Sequence, residues 1–291
     1  MNAEKRLAQS LGVDIRFEKI KIGDYLINYV TAGHGDPVLL IHGANIGWGQ
    51  WHLNIPALAK YFQVYGLDLP GSGGSTRIDF YKADIKKEFL NVVDQFIKLK
   101  GFKRIHIIGH SIGGWIALKL VLQERKYIDK IVLVNPIGFT NFIPLNQRLM
   151  SIYFLAKLLT KTVIRSTRKN MRRFLSSVLY NPSALREEFV DYFYESVRKS
   201  KFSHPLLFIS SLSNLFRMDS ELVLLDSLSH VDRPTLIIVG EKDPLMPLVK
   251  SFEAFKLIPG ARIEIFFNAG HVPSIEKSKE FNELVTNFLI S

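Results

Sequence analysis

The sequence predicts an α/β protein with a mostly parallel central sheet, helices on both faces of that sheet and an inserted helical lid. Three observations predict it. Short apolar runs recur along the chain, residues with helical spacing of apolar side chains follow them, and one long segment without strand-like runs interrupts this alternation. Strands that alternate with helices indicate βαβ units, whose strands are parallel.

The first elements predict a hairpin, because residues 14–20 and 25–32 alternate apolar and polar side chains around Gly23-Asp24. The later apolar runs lack alternation, which is typical of strands covered on both faces. These runs predict strands at 37–41, 64–69, 104–108, 131–134, 235–239 and 262–267. Apolar residues three or four positions apart predict helices at 49–61, 84–100, 112–123 and 281–290.

The segment 137–230 is predicted to be the helical lid, inserted into a core that consists of residues 1–136 and 231–291. The formal charge of the chain is +11, and residues 130–186 alone contain ten Lys or Arg and no Asp or Glu. The rest of the chain is therefore nearly neutral. Because the basic charge belongs to one segment, we do not expect nucleic acid as a partner.

Several classes of chemistry are excluded by what the sequence lacks. There is no cysteine, so disulfides, thiolate metal sites and cysteine nucleophiles are excluded. The dinucleotide and phosphate-loop patterns are also absent, and we expect neither a cofactor nor a metal. The apolar stretch 149–164 is interrupted by Lys157 and Lys161, and residues 1–19 lack a signal-peptide apolar region. We therefore expect a cytoplasmic protein.

The segment Gly109-His110-Ser111-Ile112-Gly113 follows a predicted strand and opens a predicted helix. This is the context that the G-x-S-x-G nucleophile turn requires. A turn from strand to helix in so few residues strains the central residue, and small neighbours two positions away avoid clashes. The pattern predicts that the Ser111 hydroxyl is presented above the sheet. An ordinary glycine-rich turn is the alternative.

A nucleophilic serine needs a histidine base, and the base needs a carboxylate that orients it. His271 lies in a turn between the last predicted strand and the last helix, and Asp243 directly follows the strand 235–239. Taken alone, each could be an ordinary turn residue. With Ser111, however, each follows a different strand at its C-terminal end, where open α/β sheets bind ligands. The order Ser, Asp, His is that of one fold with this triad.

Five segments resemble the motifs of the α/β-hydrolase fold family, in the same order along residues 15–136 and 231–290. They are His42-Gly43-Ala44-Asn45, Gly66 to Ser75, the turn around Ser111, Gly240 to Pro247, and Gly270-His271. The resemblance implies that Ser111 is the nucleophile, His271 the base and Asp243 its orienting acid. It also implies that the backbone N–H groups of Ala44 and Ile112 form the oxyanion hole.

The resemblance implies structural roles for two further residues: His42 is expected to hold its loop and Asp68 to shape a turn. Some relatives take the acid from the end of the strand before the lid. Here that place reads Val134-Asn135-Pro136, which has no carboxylate, so Asp243 is favoured.

The resemblance leaves three functions open. The main expectation is a carboxylesterase that acts on a small-molecule ester, because haloalkane dehalogenases and epoxide hydrolases that resemble the chain have Asp where Ser111 stands. A carbon–carbon hydrolase of ring-cleavage dienones is the first alternative, although Val272 and the loop Ala44-Asn45-Ile46 depart from that group's usual residues. A low-turnover ligand receptor of the same fold is the second.

The lid contributes two further expectations. Apolar residues are expected to form its core and part of a substrate pocket: Phe139, Phe142, Leu149, Ile152, Tyr153 and Phe154, together with Trp48 and Trp51. Five cations, Lys157, Lys161, Arg165, Arg168 and Arg172, would share one face of a continuous helix. That face predicts weak contact with an anionic membrane. The alternative is a solvated face that acids elsewhere in the fold balance.

Overall fold

The computed structural model describes residues 1–141, 143, 148, 151–162, 165–199, 204–212 and 218–291, and it leaves the side chain of Tyr153 undescribed. Its strands are β1 (Arg16–Ile22), β2 (Tyr25–Ala32), β3 (Asp36–Ile41), β4 (Phe62–Leu67), β5 (Ile105–His110), β6 (Ile128–Val134), β7 (Thr235–Gly240) and β8 (Arg262–Phe266). They form one sheet in the order β1-β2-β4-β3-β5-β6-β7-β8.

The sheet is antiparallel only at one edge. β1 pairs with β2 as the predicted hairpin, β2 pairs antiparallel with β4, and the pairs from β4 to β8 are parallel. The parallel strands therefore all end on the same side of the sheet. Ligands bind beyond these carboxyl ends in this class of fold. The predicted mostly parallel sheet is confirmed, with boundaries that differ by up to three residues.

The α-helices are α1 (Ala3–Gln9), α2 (Ile55–Leu58), α3 (Ile85–Leu99), α4 (Ile112–Leu122), α5 (Tyr153–Lys161), α6 (Arg168–Ser177), α7 (Glu187–Arg198), α8 (Pro205–Ser210), α9 (Leu248–Phe255), α10 (Pro273–Glu276) and α11 (Ser278–Ile290). The helical stretch predicted at 49–61 consists of two short pieces and not of one continuous helix. A 3₁₀ turn (Trp48–Trp51) and the short α2 stand there. The reason is Pro56, which has no N–H to donate within a continuous helix.

The sheet is buried on both faces, as its non-alternating strands predict. Leu39 and Ile41 of β3 pack in a cluster with α3 and α4, whereas Val38 and Leu40 pack in a second cluster with α2 and α11. Successive side chains of a strand point to opposite faces, so a strand covered on both faces must be apolar throughout. This packing fixes the strand ends that carry the site.

The chain between β6 and β7 contains helices α5 to α8 and no strand among the residues that the structure describes there. Its core side chains Phe189 and Phe193 on α7 are fully buried in the second cluster. α7 also packs against α1, a helix that the sequence analysis did not predict. The segment is thus packed on the sheet domain.

The five lid cations do not lie on one continuous helix, and that prediction is wrong. α5 ends at Lys161, and α6 begins at Arg168 after Thr167, whose side chain caps it. Arg168 forms ion pairs with Glu187 and Asp191 at 2.6 Å, and Arg172 pairs with Glu187. Two of the five cations are therefore balanced by acids of α7.

None of the helices that the structure describes is both long enough and apolar enough to cross a bilayer.

Candidate active site

Ser111 stands at the sharp turn between β5 and α4 with φ 54° and ψ −114°. A residue with a side chain rarely adopts a positive φ, so the turn is strained. A Cβ atom on Gly109 would lie 2.3 Å from the carbonyl oxygen of Gly113, and one on Gly113 would lie 2.3 Å from that of Ile41. Only glycine fits at both positions, which explains the spacing of the motif.

His271 and Asp243 meet across the turns that follow β8 and β7. His271 Nδ1 lies 2.7 Å from Asp243 Oδ2, and both side chains are buried. The other carboxylate oxygen, Oδ1, accepts hydrogen bonds from the backbone N–H groups of Leu245 and Met246 at 2.7 and 3.2 Å. A carboxylate accepts, so Nδ1 carries the proton and Nε2 keeps its lone pair, which is the arrangement of a general base.

The backbone of His271 is held by two side chains that the sequence analysis did not identify as site residues. Its carbonyl oxygen accepts hydrogen bonds from His110 Nε2 at 2.8 Å and from Asn135 Nδ2 at 2.9 Å. Asn135 has a φ of 40° at the end of β6, and its Oδ1 accepts from the N–H of Gly240. Asn135 therefore holds the backbone of His271 from the end of β6.

His110 is neutral in this arrangement. Burial lowers the pKa of its imidazole well below the usual value, and the neighbouring imidazole of His271 lowers it further. Because a carbonyl oxygen can only accept, His110 Nε2 is the protonated nitrogen. Its Nδ1 lies against Gly43, where an added Cβ would approach it to 2.4 Å. The ring thus connects the nucleophile turn, the loop after β3 and the base.

A carboxylate ties the base loop to the inserted segment. Glu276 Oε1 accepts from the N–H of Gly270, and Oε2 accepts from the N–H of Asn181, both at 2.7 Å. The backbone N–H of His271 donates to the carbonyl oxygen of Val178 at 2.8 Å. Residues 178–181 follow α6, so the loop that carries the base is bonded directly to the segment between β6 and β7.

The two predicted oxyanion donors belong to the loop after β3 and to the first turn of α4, which both adjoin Ser111. Ile112 is the first residue of α4, and the first N–H groups of a helix have no intrahelical acceptor. Ala44 follows β3 in a loop whose Gly43 N–H donates to Gln50 Oε1 at 2.9 Å. The loop and the start of α4 therefore provide the backbone for such a hole, and the donor roles of Ala44 and Ile112 remain a prediction.

His42 and Asp68 hold loops, as the resemblance implied. His42 Nδ1 donates to the Gly43 carbonyl oxygen at 2.6 Å, and its Nε2 accepts from the N–H of Leu69 at 3.0 Å. Burial lowers the pKa of His42 to about 4, so the ring is neutral. Asp68 accepts from the N–H groups of Trp48 and Gly74 at 2.7 and 2.8 Å.

Comparison with known proteins agrees with this geometry. A family model described as alpha/beta hydrolase fold matches residues 36–278. The chain belongs to the α/β-hydrolase fold family.

Among proteins of this family, the chain is similar over nearly its whole length to two curated enzymes. It is 26% identical over 282 residues to the 2-hydroxy-6-oxo-6-phenylhexa-2,4-dienoate hydrolase of Comamonas testosteroni, covering 94% of this chain and 96% of that protein. It is 28% identical over 298 residues to a 2-hydroxy-6-oxononadienedioate/2-hydroxy-6-oxononatrienedioate hydrolase of a Pseudomonas species, covering 99% of each.

A solved structure gives the same relationship. The meta-cleavage product hydrolase of Pseudomonas fluorescens IP01 is 27% identical, superposes with a TM-score of 0.74, and the match covers 94% of this chain and 97% of that one.

The side chains of Ser111 and His271 line one cavity of about 450 Å³ in this hydrolase. The inserted segment forms much of its wall through α6 and α8. The lining residues are Ala44, Ile46, His110, Ser111, Asn135, Ile137, Phe174, Ser177, Val178, Leu206, Phe208, Ile209, Leu212, Met218, Pro244, Leu245, Met246, His271 and Val272. No Asp, Glu, Lys or Arg is among these described lining residues, so the cavity favours apolar ligands.

None of the expected pocket residues that the structure describes lines this cavity. Phe139, Trp48 and Trp51 are buried in the core, whereas Ile152 and Phe154 are exposed. Phe142, Leu149 and the side chain of Tyr153 lie outside the described residues. Among the helices between β6 and β7, the described lining comes from Phe174 and Ser177 of α6 and from Leu206, Phe208 and Ile209 of α8.

No group of three or more His, Asp or Glu side chains that could hold a metal ion occurs within the described part of the chain.

Proposed function

We propose that this hydrolase cleaves a carbon–carbon bond next to a ketone carbonyl in a ring-cleavage dienone, with Ser111 as nucleophile, His271 as base and Asp243 as the orienting acid. The observation that carries the proposal is the His271–Asp243 pair, 2.7 Å apart, beside the same apolar cavity as the strained Ser111. The choice of bond is supported by the curated relatives, which are named as hydrolases of 2-hydroxy-6-oxo dienoates.

The proposed reaction begins when His271 Nε2 takes the Ser111 proton and Oγ adds to the ketone carbon. The N–H groups of Ala44 and Ile112 would stabilise the oxyanion that forms. The carbon–carbon bond then breaks in the keto tautomer of the substrate, so that the departing fragment leaves as a conjugated enolate and takes the proton from His271. Water hydrolyses the acyl ester left on Ser111, so one product is a carboxylic acid and the other has gained a hydrogen.

Carboxylic ester hydrolysis is a second candidate, because the described cavity lining carries no charged side chain. A dienoate brings a carboxylate into the site, and an ionised carboxylate buried without a partner is unfavourable by several kcal/mol. An uncharged ester meets no such penalty. If the dienone is the substrate, its carboxylate must lie at the mouth of the cavity, outside the apolar lining.

Two residues where the chain departs from ring-cleavage hydrolases also line the cavity. Val272 follows the base, where that group often has Trp, and Ala44 lies in a loop that is less rich in glycine than theirs. Both differences act on the shape of the cavity beside Ser111. They favour a substrate that differs from 2-hydroxy-6-oxo-6-phenylhexa-2,4-dienoate in its acyl part.

The experiment that separates the two reactions measures kcat/KM for 2-hydroxy-6-oxo-6-phenylhexa-2,4-dienoate and for p-nitrophenyl esters of two to eight acyl carbons. Loss of the visible absorbance of the dienone reports the first reaction, and release of p-nitrophenol the second. A higher kcat/KM for the dienone supports the main proposal, and a higher value for an ester supports the second. Ser111→Ala is the control in both assays.

Tight binding of such compounds with less than one turnover in hours would contradict both proposals. That result would identify the protein as a low-turnover receptor with a hydrolase fold.

A further inference from the structure

Helix α5 presents large apolar side chains to solvent. Phe154 is 74% exposed, Leu158 is 57% exposed, and Ile152, just before the helix, is 40% exposed. Residues 154 and 158 are one helical turn apart, so they share the outer face, and Lys161 continues the same face. Single exposed apolar residues are common, but a row of them on one helix marks a contact surface.

The opposite face of α5 is held firmly by the fold. Ala156 is fully buried and belongs to the same core cluster as Phe208 of α8. α5 packs against α8, and Phe208 also lines the cavity beside Ser111. The outer face of α5 is therefore the outside of the cavity wall.

The charged residues of this stretch are all cationic. Lys157, Lys161 and Arg165 lie on or just after α5, and residues 130–186 contain no Asp or Glu. Arg168 and Arg172 are neutralised by acids of α7. Lys161 and Arg165, in contrast, form no ion pair with any residue that the structure describes. Positive charge thus remains beside the exposed apolar row.

We propose that this surface, formed by Ile152, Phe154 and Leu158 with Lys157, Lys161 and Arg165 around them, docks on an anionic lipid bilayer. We call it the α5 surface. Apolar side chains that enter the headgroup region, with cations beside them, are the combination by which helices lie on membranes. A second copy of the chain would bring like charge against like charge, which opposes self-association through this face. The inference goes beyond the proposed function and does not depend on it.

Vesicle co-sedimentation of the full chain tests the proposal. We expect pelleting with vesicles that contain about one third anionic lipid at low salt, little with neutral phosphatidylcholine vesicles, and loss of pelleting at high salt. Because each Lys or Arg near an anionic surface contributes about fivefold to partitioning, Lys161→Gln/Arg165→Gln should weaken it about 30-fold. The matched control is Lys19→Gln/Lys21→Gln, which removes two exposed charges from β1 and should have a much smaller effect.

A second pair of variants tests the apolar part. Phe154→Ala should weaken partitioning about tenfold, since an aromatic side chain is removed from the bilayer interface. Phe267→Ala, at a residue 64% exposed next to β8, should leave partitioning unchanged. Equal effects of Phe154→Ala and Phe267→Ala would overturn the placement of the docking surface.

The absence of cysteine allows a direct measurement. The single cysteine of Leu158→Cys is labelled with a polarity-sensitive fluorophore. Val249→Cys, labelled in the same way at a residue of α9 that is 61% exposed, is the control. We expect a blue shift with anionic vesicles only at position 158. No pelleting at low salt, or pelleting without that shift, would contradict the proposal. A shift that depends on protein concentration without vesicles would instead show self-association and would also overturn it.

Discussion

The side-chain amide of Asn135 donates a hydrogen bond of 2.9 Å to the backbone oxygen of His271. The same side chain accepts from Gly240, which ends β7 just before the loop of Asp243. One buried amide therefore sets the distance between the turn that carries His271 and the strand that leads to Asp243. The 2.7 Å contact between His271 and Asp243 depends on that spacing.

Asn135→Gly should lower kcat by about 10- to 100-fold with a small change in KM. The variant tolerates the positive φ of this position, but it leaves the buried N–H of Gly240 without its acceptor, at about 1–3 kcal/mol. The His271 carbonyl oxygen keeps His110 as its remaining donor. Asn135→Ala should add a loss of thermal stability, because alanine is strained at φ 40°. Kinetics and melting of both variants separate the two effects. A normal kcat in Asn135→Gly would show that the amide does not position the base.

Ser111→Ala should lower kcat by about 10⁴-fold or more, because the attacking oxygen is removed. Labelling of the protein by a fluorophosphonate should disappear with it. Ser111→Gly should be equally inactive but should melt at a higher temperature than Ser111→Ala, since glycine relieves the strain at φ 54°. Labelling that persists in Ser111→Ala would place the nucleophile elsewhere.

Asp243→Asn should lower kcat by about 10⁴-fold while the protein melts near the wild-type temperature. The asparagine would favour the wrong tautomer of His271, in which Nε2 carries the proton and cannot accept the one from Ser111. Asp129→Asn is the control. Asp129 pairs with Arg104 at the amino ends of β5 and β6, opposite the carboxyl ends that carry the cavity. A large loss in the control together with an active Asp243→Asn would refute the assignment.

His52 should make the protein less stable in acid. Burial, and then the charge of Arg186, lower the pKa of His52 to about 4, against only partial compensation by a hydrogen bond to Gly49. Because the pKa of His52 is lower in the folded than in the unfolded protein, neutral His52 favours the folded state fully above about pH 6.5. This stability is lost as the pH falls towards 4, and the loss is about 3 kcal/mol at most.

The check is urea unfolding of the wild type and of His52→Phe between pH 4 and 7. Phenylalanine keeps the stacking on Phe189, whose ring centre lies 4.8 Å from that of His52. The free energy of unfolding should fall less steeply with pH in the variant. Parallel curves for the two proteins would show that His52 does not titrate in this range.

The sequence predicted those parts of the site that local geometry dictates. The turn at Ser111 needs Gly109 and Gly113 because backbone oxygens lie too close for any Cβ atom, so the requirement is visible in five consecutive residues. The order of Ser111, Asp243 and His271 was equally visible, since each follows a strand of a parallel sheet. The family follows from these features.

The remaining features depend on pairs of residues far apart in the chain. Asn135 and His271 are 136 positions apart, and Asn181 and Glu276 are 95 positions apart. No local pattern indicates such a pair. Likewise, the five lid cations were predicted to share one helix face because Arg168 and Arg172 have the right spacing. Their ion-pair partner Glu187 comes 19 and 15 positions later in the chain, where no local pattern indicates it.

The hydrogen bonds of Glu276 to Gly270 and Asn181 limit how the segment between β6 and β7 can be exchanged for that of a related hydrolase. Residues 178–181 accept from His271 and donate to Glu276, so they belong mechanically to the base loop, although they lie within the inserted segment. Both contacts use backbone groups of residues 178–181, so a chimaera that changes the path of the chain there would remove the support of the His271 loop. A graft that keeps 178–181 and changes only α5, α6 up to Phe174, and α8 would alter the cavity wall and leave the proton-transfer machinery in place.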